Sequence, residues 1–372
     1  MKKALVAAAV AGAFAAPSLM AAELSTNIYW STAITAQSTT TTSGGSDSTV
    51  GQDGISDGGG NRLMFTWTDT LDNGIGVTAY LSMGNLNTAG GDPRFGGNSV
   101  DVRNANIGFS GDFGKVQIGT NEHFSETDLI LDPSYADFGA TADALSFINI
   151  GNTAFQYVRR DGESVWWTSN DMNGLQLRAA YIFGPSNDDN SAAADADGHQ
   201  VGVVYNSGPL MVGVNQATYN DYAVNGGIGA PIAGSESTMT TIRGSYDMGM
   251  AVVKVAMWDI DQTGITDTTL TGVAATGYEV SGRSIYVGMP VGGGTLWAQS
   301  SSLGDQDVIT STGTSALDAS DKSGFDIGYH MPMNANVTFF GRYGESETGA
   351  NYDGTAGSTE TEMLMFGWQL IY

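Results

Sequence analysis

The chain has 372 residues, no Cys, 52 Gly and only 14% charged residues, and 39 acidic against 14 basic side chains give it a formal charge of −25. That acidity argues against nucleic acid as a partner, and the missing thiols exclude a disulfide framework. Beyond the N-terminal segment no apolar run reaches the length of about 18 residues that a membrane-crossing helix needs, so a membrane-spanning chain of this composition has to be a closed barrel.

Lys2 and Lys3 precede an apolar run over residues 4–16, and the small residues Ala21 and Ala22 follow at the distance of a cleavage site. This pattern is a secretory signal peptide, residues 1–21, with a cut after Ala22 as the alternative. A membrane anchor needs about 20 apolar residues, more than this run supplies. Removing Lys2 and Lys3 takes 14 basic residues to 12, and 12 against 39 leaves residues 22–372, a single barrel domain, with a formal charge of −27.

From there the chain reads as strands. Tight-turn residues recur at 71–74, 112–114, 170–174, 207–209, 247–249, 292–294 and 332–334, each group with Gly, Pro, Asn or Asp. Longer polar segments alternate with them at 39–60, 88–99, 121–153, 185–197, 223–236, 263–277, 305–321 and 347–358. Seven turns and eight loops join sixteen strands. Roughly 22 residues for each strand with its connection leave room for about 10 residues of tilted spanning strand. A soluble sandwich has no reason to sort its connections by length, so the predicted fold is all-β, a transmembrane antiparallel β-barrel. Within the first loop, Thr39 to Thr42 and Ser43 to Gly45 form a low-complexity tract that reads as flexible. In the final segment Leu364, Phe366, Trp368, Leu370 and Tyr372 share one face and Met365, Gly367 and Gln369 the other, the period of a strand with one lipid-facing side.

A pore is governed by its narrowest point and the charges around it. The third long segment carries Glu122, Glu126, Asp128, Asp132, Asp137 and Asp143 with no basic residue before Arg159, so folded into a barrel it would set a negative field. On the strands, Arg62 is out of phase with Leu63, Phe65 and Trp67, Arg178 with Leu177 and Tyr181, and Lys254 with Val253 and Val255. Arg342 follows less cleanly because Phe340 shares its parity. Facing lipid at the midplane would cost such a side chain about 2–4 kcal/mol, which assigns these to the lumen. Arg103 shares parity with Ile107 and Phe109 and needs a bulge, or a place near the strand end, to point inward.

Arg62-Leu63 with the stretch from Thr68 to Gly74, residues 103–119 (RNANIGFSGDFGKVQIG) and residues 163–181 (ESVWWTSNDMNGLQLRAAY) resemble the general porins of Gram-negative bacteria, and the likeness covers essentially the whole chain. That resemblance implies a sixteen-stranded barrel in the outer membrane, a homotrimer, and a third loop folded into the lumen opposite a cluster of wall arginines. It places Arg62 and Arg103 on that wall, with Arg159 and Arg160 where the loop returns to it. It makes Phe366, Trp368, Leu370 and Tyr372 the signal read by the barrel-assembly machinery. Two departures stand out: the third loop lacks a clear Pro-Glu-Phe-Gly-Gly motif, and Tyr372 occupies the place of the usual terminal Phe.

The expected function is passive diffusion of small hydrophilic solutes and ions with a preference for cations, in contact with outer-membrane lipid and lipopolysaccharide and without cofactor or metal. A solute-specific channel is the alternative, in which Tyr135, Phe138 and Phe147 of the third loop would contact substrate. A barrel hydrolase would need a nucleophile motif near His123, His199 or His330, and none is present. Asp188, Asp189, Asp195 and Asp197 crowd one loop without calcium-loop spacing and read as a solvated acidic segment.

Overall fold

The computed structural model describes residues 23–56, 61–84, 101–129, 131, 160–183, 197–220, 234–267, 275–317, 320–349 and 357–372. Outside the described residues lie the predicted signal peptide, the second loop, and Asp132, Asp137, Asp143, Arg159, Tyr135, Phe138 and Phe147 of the third loop. Asp188, Asp189 and Asp195 lie outside them too, as do the side chains of Glu126 and Arg160.

The strands are β1 (Glu23–Ser43), β2 (Ser46–Ser56), β3 (Arg62–Thr70), β4 (Gly76–Gly84), β5 (Asp101–Gly111), β6 (Gly114–Glu122), β7 (Arg160–Thr168), β8 (Leu175–Ile182), β9 (Gly198–Ser207) and β10 (Leu210–Asn220). They continue with β11 (Glu236–Asp247), β12 (Val252–Asp267), β13 (Ala275–Val291), β14 (Gly294–Leu303), β15 (Gln306–Thr310), β16 (Gly313–Leu317), β17 (Lys322–Pro332), β18 (Val337–Thr348) and β19 (Ser358–Ile371). Among the described residues a short helix, α1 (Phe124–Leu129), follows β6.

Every pairing is antiparallel, and the 19 segments make 16 staves that pair in chain order, because three staves are each broken into two. β2 and β3 both pair with β1, β14 and β15 both pair with β13, and β16 and β17 pair with β15 and β14 respectively. The ring closes where β1 meets β19 in a register running from Tyr29 opposite Ile371 to Thr42 opposite Ser358. Ile28 and Tyr372 complete the seam by exchanging two backbone hydrogen bonds of 2.6 and 2.9 Å. Among the described residues, closure pairs every stave on both sides, the condition a spanning sheet must meet.

All seven predicted tight turns join paired neighbours. At the turn between β5 and β6, Gly114 has φ of 92°, and a β-carbon there would run into the carbonyl of Thr168 on the next strand.

The first long segment corrects the expectation of a flexible loop. β1 and β2 continue through Thr39–Thr42 as a hairpin that turns at Gly44 and Gly45, whose φ values of 60° and 77° suit a two-residue hairpin turn. β-branched Thr favours a strand, and here it has partners on both sides: Thr39 meets Thr361 hydroxyl to hydroxyl at 3.3 Å, and Thr40 meets Thr49 at 3.0 Å. The segments at 263–277, 305–321 and 347–358 likewise begin or end as strand, and β15 with β16 forms a hairpin inside the second of them.

Side chains alternate between two environments. On β19, Leu364, Phe366, Trp368 and Leu370 are exposed on the outer face, with Trp368 half accessible, while Met363, Met365, Gly367 and Gln369 are buried toward the lumen. The outer face carries the same apolar exposure at Tyr181, Val201, Tyr205, Ile242, Met257, Ile285 and Ile327. Inside, Leu129 and Leu131 pack with Met239, Trp258, Tyr286 and Trp297.

Candidate pore constriction

The third loop leaves the wall at a bulge. The pairing of β6 with β7 shifts register between Gly119 and Asn121, and Gly119 sits at φ of 126°, where a β-carbon would strike the carbonyl of Ala105. Its own carbonyl accepts from the Ser164 hydroxyl at 2.7 Å and from Asn121 Nδ2 at 3.1 Å. A bulge re-aims the strand that carries it, and here the chain turns from Glu122, opposite Arg160, into the lumen.

His123 begins the inward run. Its Nδ1 accepts the backbone N–H of Ser125 at 3.3 Å, and its ring stacks on Tyr219 with centroids 5.7 Å apart. Burial lowers its pKa to about 3, so the imidazole is neutral and serves as the cap of α1.

Each turn of α1 then meets inward-facing wall residues. Phe124 lies edge-on to Trp166 at 4.5 Å, and its N–H donates to Gln200 Oε1 at 3.2 Å. Ser125 Oγ accepts from Asn215 Nδ2 at 2.8 Å and from the Thr241 hydroxyl at 3.2 Å. Asp128 Oδ1 lies 3.2 Å from Arg178 Nη1 and 3.0 Å from Arg243 Nε, and its side chain is only 2% exposed. Burial pushes the Asp128 carboxyl above the usual carboxylate range against the opposing pull of Arg243 and Arg178. Lys254 Nζ donates to the Leu131 carbonyl at 2.5 Å and stands 5.3 Å over the Tyr286 ring. The start of the loop is thus fastened along the inner wall from β7 to β12.

Asp128 is therefore enclosed between two guanidinium groups, and its charge acts on the wall more than on the channel. Arg62, Arg103 and Arg342, also singled out from sequence, face the lumen as well. Arg62 lies 5.2 Å over the Tyr29 ring, whose hydroxyl accepts from Gln369 Nε2 at 2.7 Å. Arg103 reaches the lumen through the kind of irregularity it needs: Ser82 pairs with Asn104 and Met83 with Val102, so Arg103 is the extra residue of a bulge and its side chain fills the space above Gly84. Arg342 is buried opposite Gly328 and Met365. Phe340 shares its side and meets the His330 ring at 6.4 Å, while Phe339 packs outside on Trp368, so both faces of β18 carry an aromatic ring and the alternation is regular. His330 Nε2 accepts from Trp297 Nε1 at 3.1 Å, and His199 is exposed on the outer face.

Arg243 does not appear among the residues singled out from sequence, although it alternates with Ile242 and Tyr246 just as Arg178 does with Leu177 and Tyr181. The polar sockets Gln200, Asn215, Tyr219 and Thr241 carry no sequence signal, since inward Gln, Asn and Thr look like any pore lining.

A family model described as Gram-negative porin matches residues 4–356. A comparison with curated proteins finds no significant match. Among solved structures, the chain is similar to the anion-selective porin from Comamonas acidovorans (TM-score 0.68, 15% identity, 94% of this chain and 100% of that chain). It is also similar to outer-membrane expressed OmpT of Vibrio cholerae (0.63, 13%, 96% and 99%) and to Salmonella typhi OmpF in complex with daunomycin (0.59, 14%, 92% and 97%). At these identities the structural likeness speaks for the fold, and the match along nearly the whole sequence speaks for the family. A closed sixteen-stave barrel with an apolar exterior and the start of a loop bound inside it, matched along nearly its whole length, belongs to the Gram-negative porin family: the chain is an outer-membrane channel protein.

Proposed function

We propose that the protein lets small hydrophilic solutes and ions diffuse passively, that it prefers cations, and that it assembles as a homotrimer whose outer-face residues Phe366, Trp368 and Leu370, with Tyr372, are read during barrel assembly. The observation carrying the reading is the fastening of α1 to the inner wall, which narrows a barrel that would otherwise be open. The charge balance of the mature domain, 12 basic against 39 acidic residues, supports the cation preference. Asp128 contributes little to it, because Arg178 and Arg243 offset its charge. The preference then falls to Glu122, Glu126, Asp132, Asp137 and Asp143, opposed locally by Arg62, Arg103 and Arg342. Inside a narrow lumen such charges are screened less than on an open surface. His123 and His330 serve as a helix cap and as a partner for Trp297, roles that fit a passive channel rather than a hydrolase.

Planar-bilayer recording tests the proposal. In a salt gradient the reversal potential is expected to have the sign of cation preference, and neutralising Glu126, Asp132, Asp137 and Asp143 together is expected to reduce it. An anion-selective wild-type pore would overturn the selectivity, and absence of conductance from folded barrels would overturn the diffusion reading.

A further inference from the structure

Of the Lys and Arg residues on strands whose side chains are described, Arg62, Arg103, Lys115, Arg178, Arg243, Lys254, Lys322 and Arg342 stand on the lumen side of the alternation. Arg283 is the exception among them. It lies opposite Met257 and Ser302 and shares its face with the exposed Ile285, so it is on the outside of the barrel, and its Nε donates to Ser302 Oγ at 3.2 Å.

Its height is informative. From the tight turn after β13, the outer face rises through the exposed Val291, Met289 and Ile285 before reaching Arg283 and then Ser281 and Glu279. The same step from apolar to polar occurs from Met257 to Asp259 on β12 and from Ile242 to Thr240 on β11. Arg283 therefore stands where the hydrocarbon band gives way to lipid headgroups on the long-loop side, a level at which an outward guanidinium is tolerated. A groove of about 690 Å³ opens there, with Ile242 and Met257 toward the apolar side and Asp259, Arg283, Ser302, Asp305 and Asp321 around its polar end. The break between β14 and β15 at Gly304 adds to the dent.

We propose that this groove holds a phosphorylated glycolipid of the outer leaflet. A phosphate would pair with the Arg283 guanidinium, sugar hydroxyls would donate to Asp259 and Asp321, and acyl chains would cover Ile242 and Met257. Carboxylates beside a single arginine disfavour a bare anion but suit a sugar phosphate, whose hydroxyls need acceptors. The site is separate from the channel and rests only on the outer-membrane placement of the barrel.

Native mass spectrometry of the intact folded protein, offered bis-phosphorylated lipid A, dephosphorylated lipid A or phosphatidylethanolamine, tests it. The wild type is expected to retain the bis-phosphorylated form about tenfold better than the dephosphorylated one, the worth of a charge-assisted contact. Arg283→Gln should abolish that difference and Arg283→Lys preserve most of it, both with heat-modifiable gel mobility and single-channel conductance as in the wild type. Three results would overturn the site: a folded Arg283→Gln that keeps the difference, a wild type that holds phosphatidylethanolamine as well as lipid A, or displacement of lipid A by millimolar inorganic phosphate. If Arg283→Gln fails to fold, the ranking of the three lipids on the wild type decides alone. Loss of conductance in the wild type would bear on the diffusion reading and leave the lipid ranking intact.

Discussion

The first and third loops are both long, polar and Gly-containing, yet the first stands upright as an extension of the sheet and the start of the third turns into the lumen. Thr39–Thr42 offer alternating β-branched side chains and free backbone groups, and β19 and β2 supply ladders on both sides. His123–Asp128 offer a ring acceptor, a hydroxyl, a phenyl ring and a carboxylate, and the inner wall supplies Tyr219, Asn215, Trp166, Arg178 and Arg243. A loop goes where its unsatisfied groups find partners. The first is held mainly by backbone, the start of the third mainly by side chains, so point substitutions should affect them very unequally.

The largest effect is expected from Asp128→Asn, which leaves Arg178 and Arg243 facing each other without a carboxylate. Breaking a buried ion pair from one side costs about 3–5 kcal/mol, and the cost should appear as faster amide exchange over residues 124–128 while the β7–β12 ladder stays protected. Unchanged exchange would mean the loop is held by its apolar packing.

Acid comes next. The buried His123 ring has its pKa depressed to about 3 from an ordinary 6.5, so between those values the detached loop takes up a proton and the attached loop does not. Attachment should therefore weaken as the pH falls from 6.5 toward 3, by up to about 1.4 kcal/mol per pH unit. Amide exchange of residues 124–128, corrected for its intrinsic pH dependence, checks this against His123→Asn, which keeps an acceptor at the helix start and should reduce the slope. An equal slope in the variant would remove His123 as its source, since Asp128, whose carboxyl is raised by burial, works in the opposite direction.

Ser125→Ala is expected to cost about 1–3 kcal/mol of the same attachment, because Asn215 and Thr241 lose a buried partner. The smallest change should come from Thr42→Ala in the first hairpin, where an exposed 2.7 Å hydrogen bond to Asp47 is lost at about 0.5–1.5 kcal/mol, with the backbone ladder intact by hydrogen exchange.

These contrasts also separate what sequence makes legible from what it hides. Turns are legible because Gly114 or the Gly292-Gly293 pair meets a local conformational demand, and all seven are found where Gly, Pro, Asn and Asp predict them. The lumen side of Arg178 and Lys254 is legible because a period of two is a local property. Arg103 is legible only as a contradiction, resolved by a bulge whose cause lies in the pairing with Ser82 and Met83. The fate of Thr39–Thr42 and the enclosure of Asp128 are not legible, since each depends on partners 50 or more residues away or on another stave. Arg243 was within reach of the same alternation test that finds Arg178, and its partner Asp128 was not.

The seam between β1 and β19 has a bearing on biogenesis. Tyr29 faces Ile371 across a separation of more than 300 residues, and the entropic cost of closing so long a chain is about 5 kcal/mol. Until β19 is in place, both edges of a fifteen-stave sheet stand open, a template for association with any other strand. A chain stopped by a premature stop codon before β19 could not settle into a smaller ring in the same register; it would stay a sticky open sheet exposed to periplasmic chaperones and proteases. The geometry of the seam thus makes arrival of the C-terminal strand the event that separates a protected barrel from degradable waste.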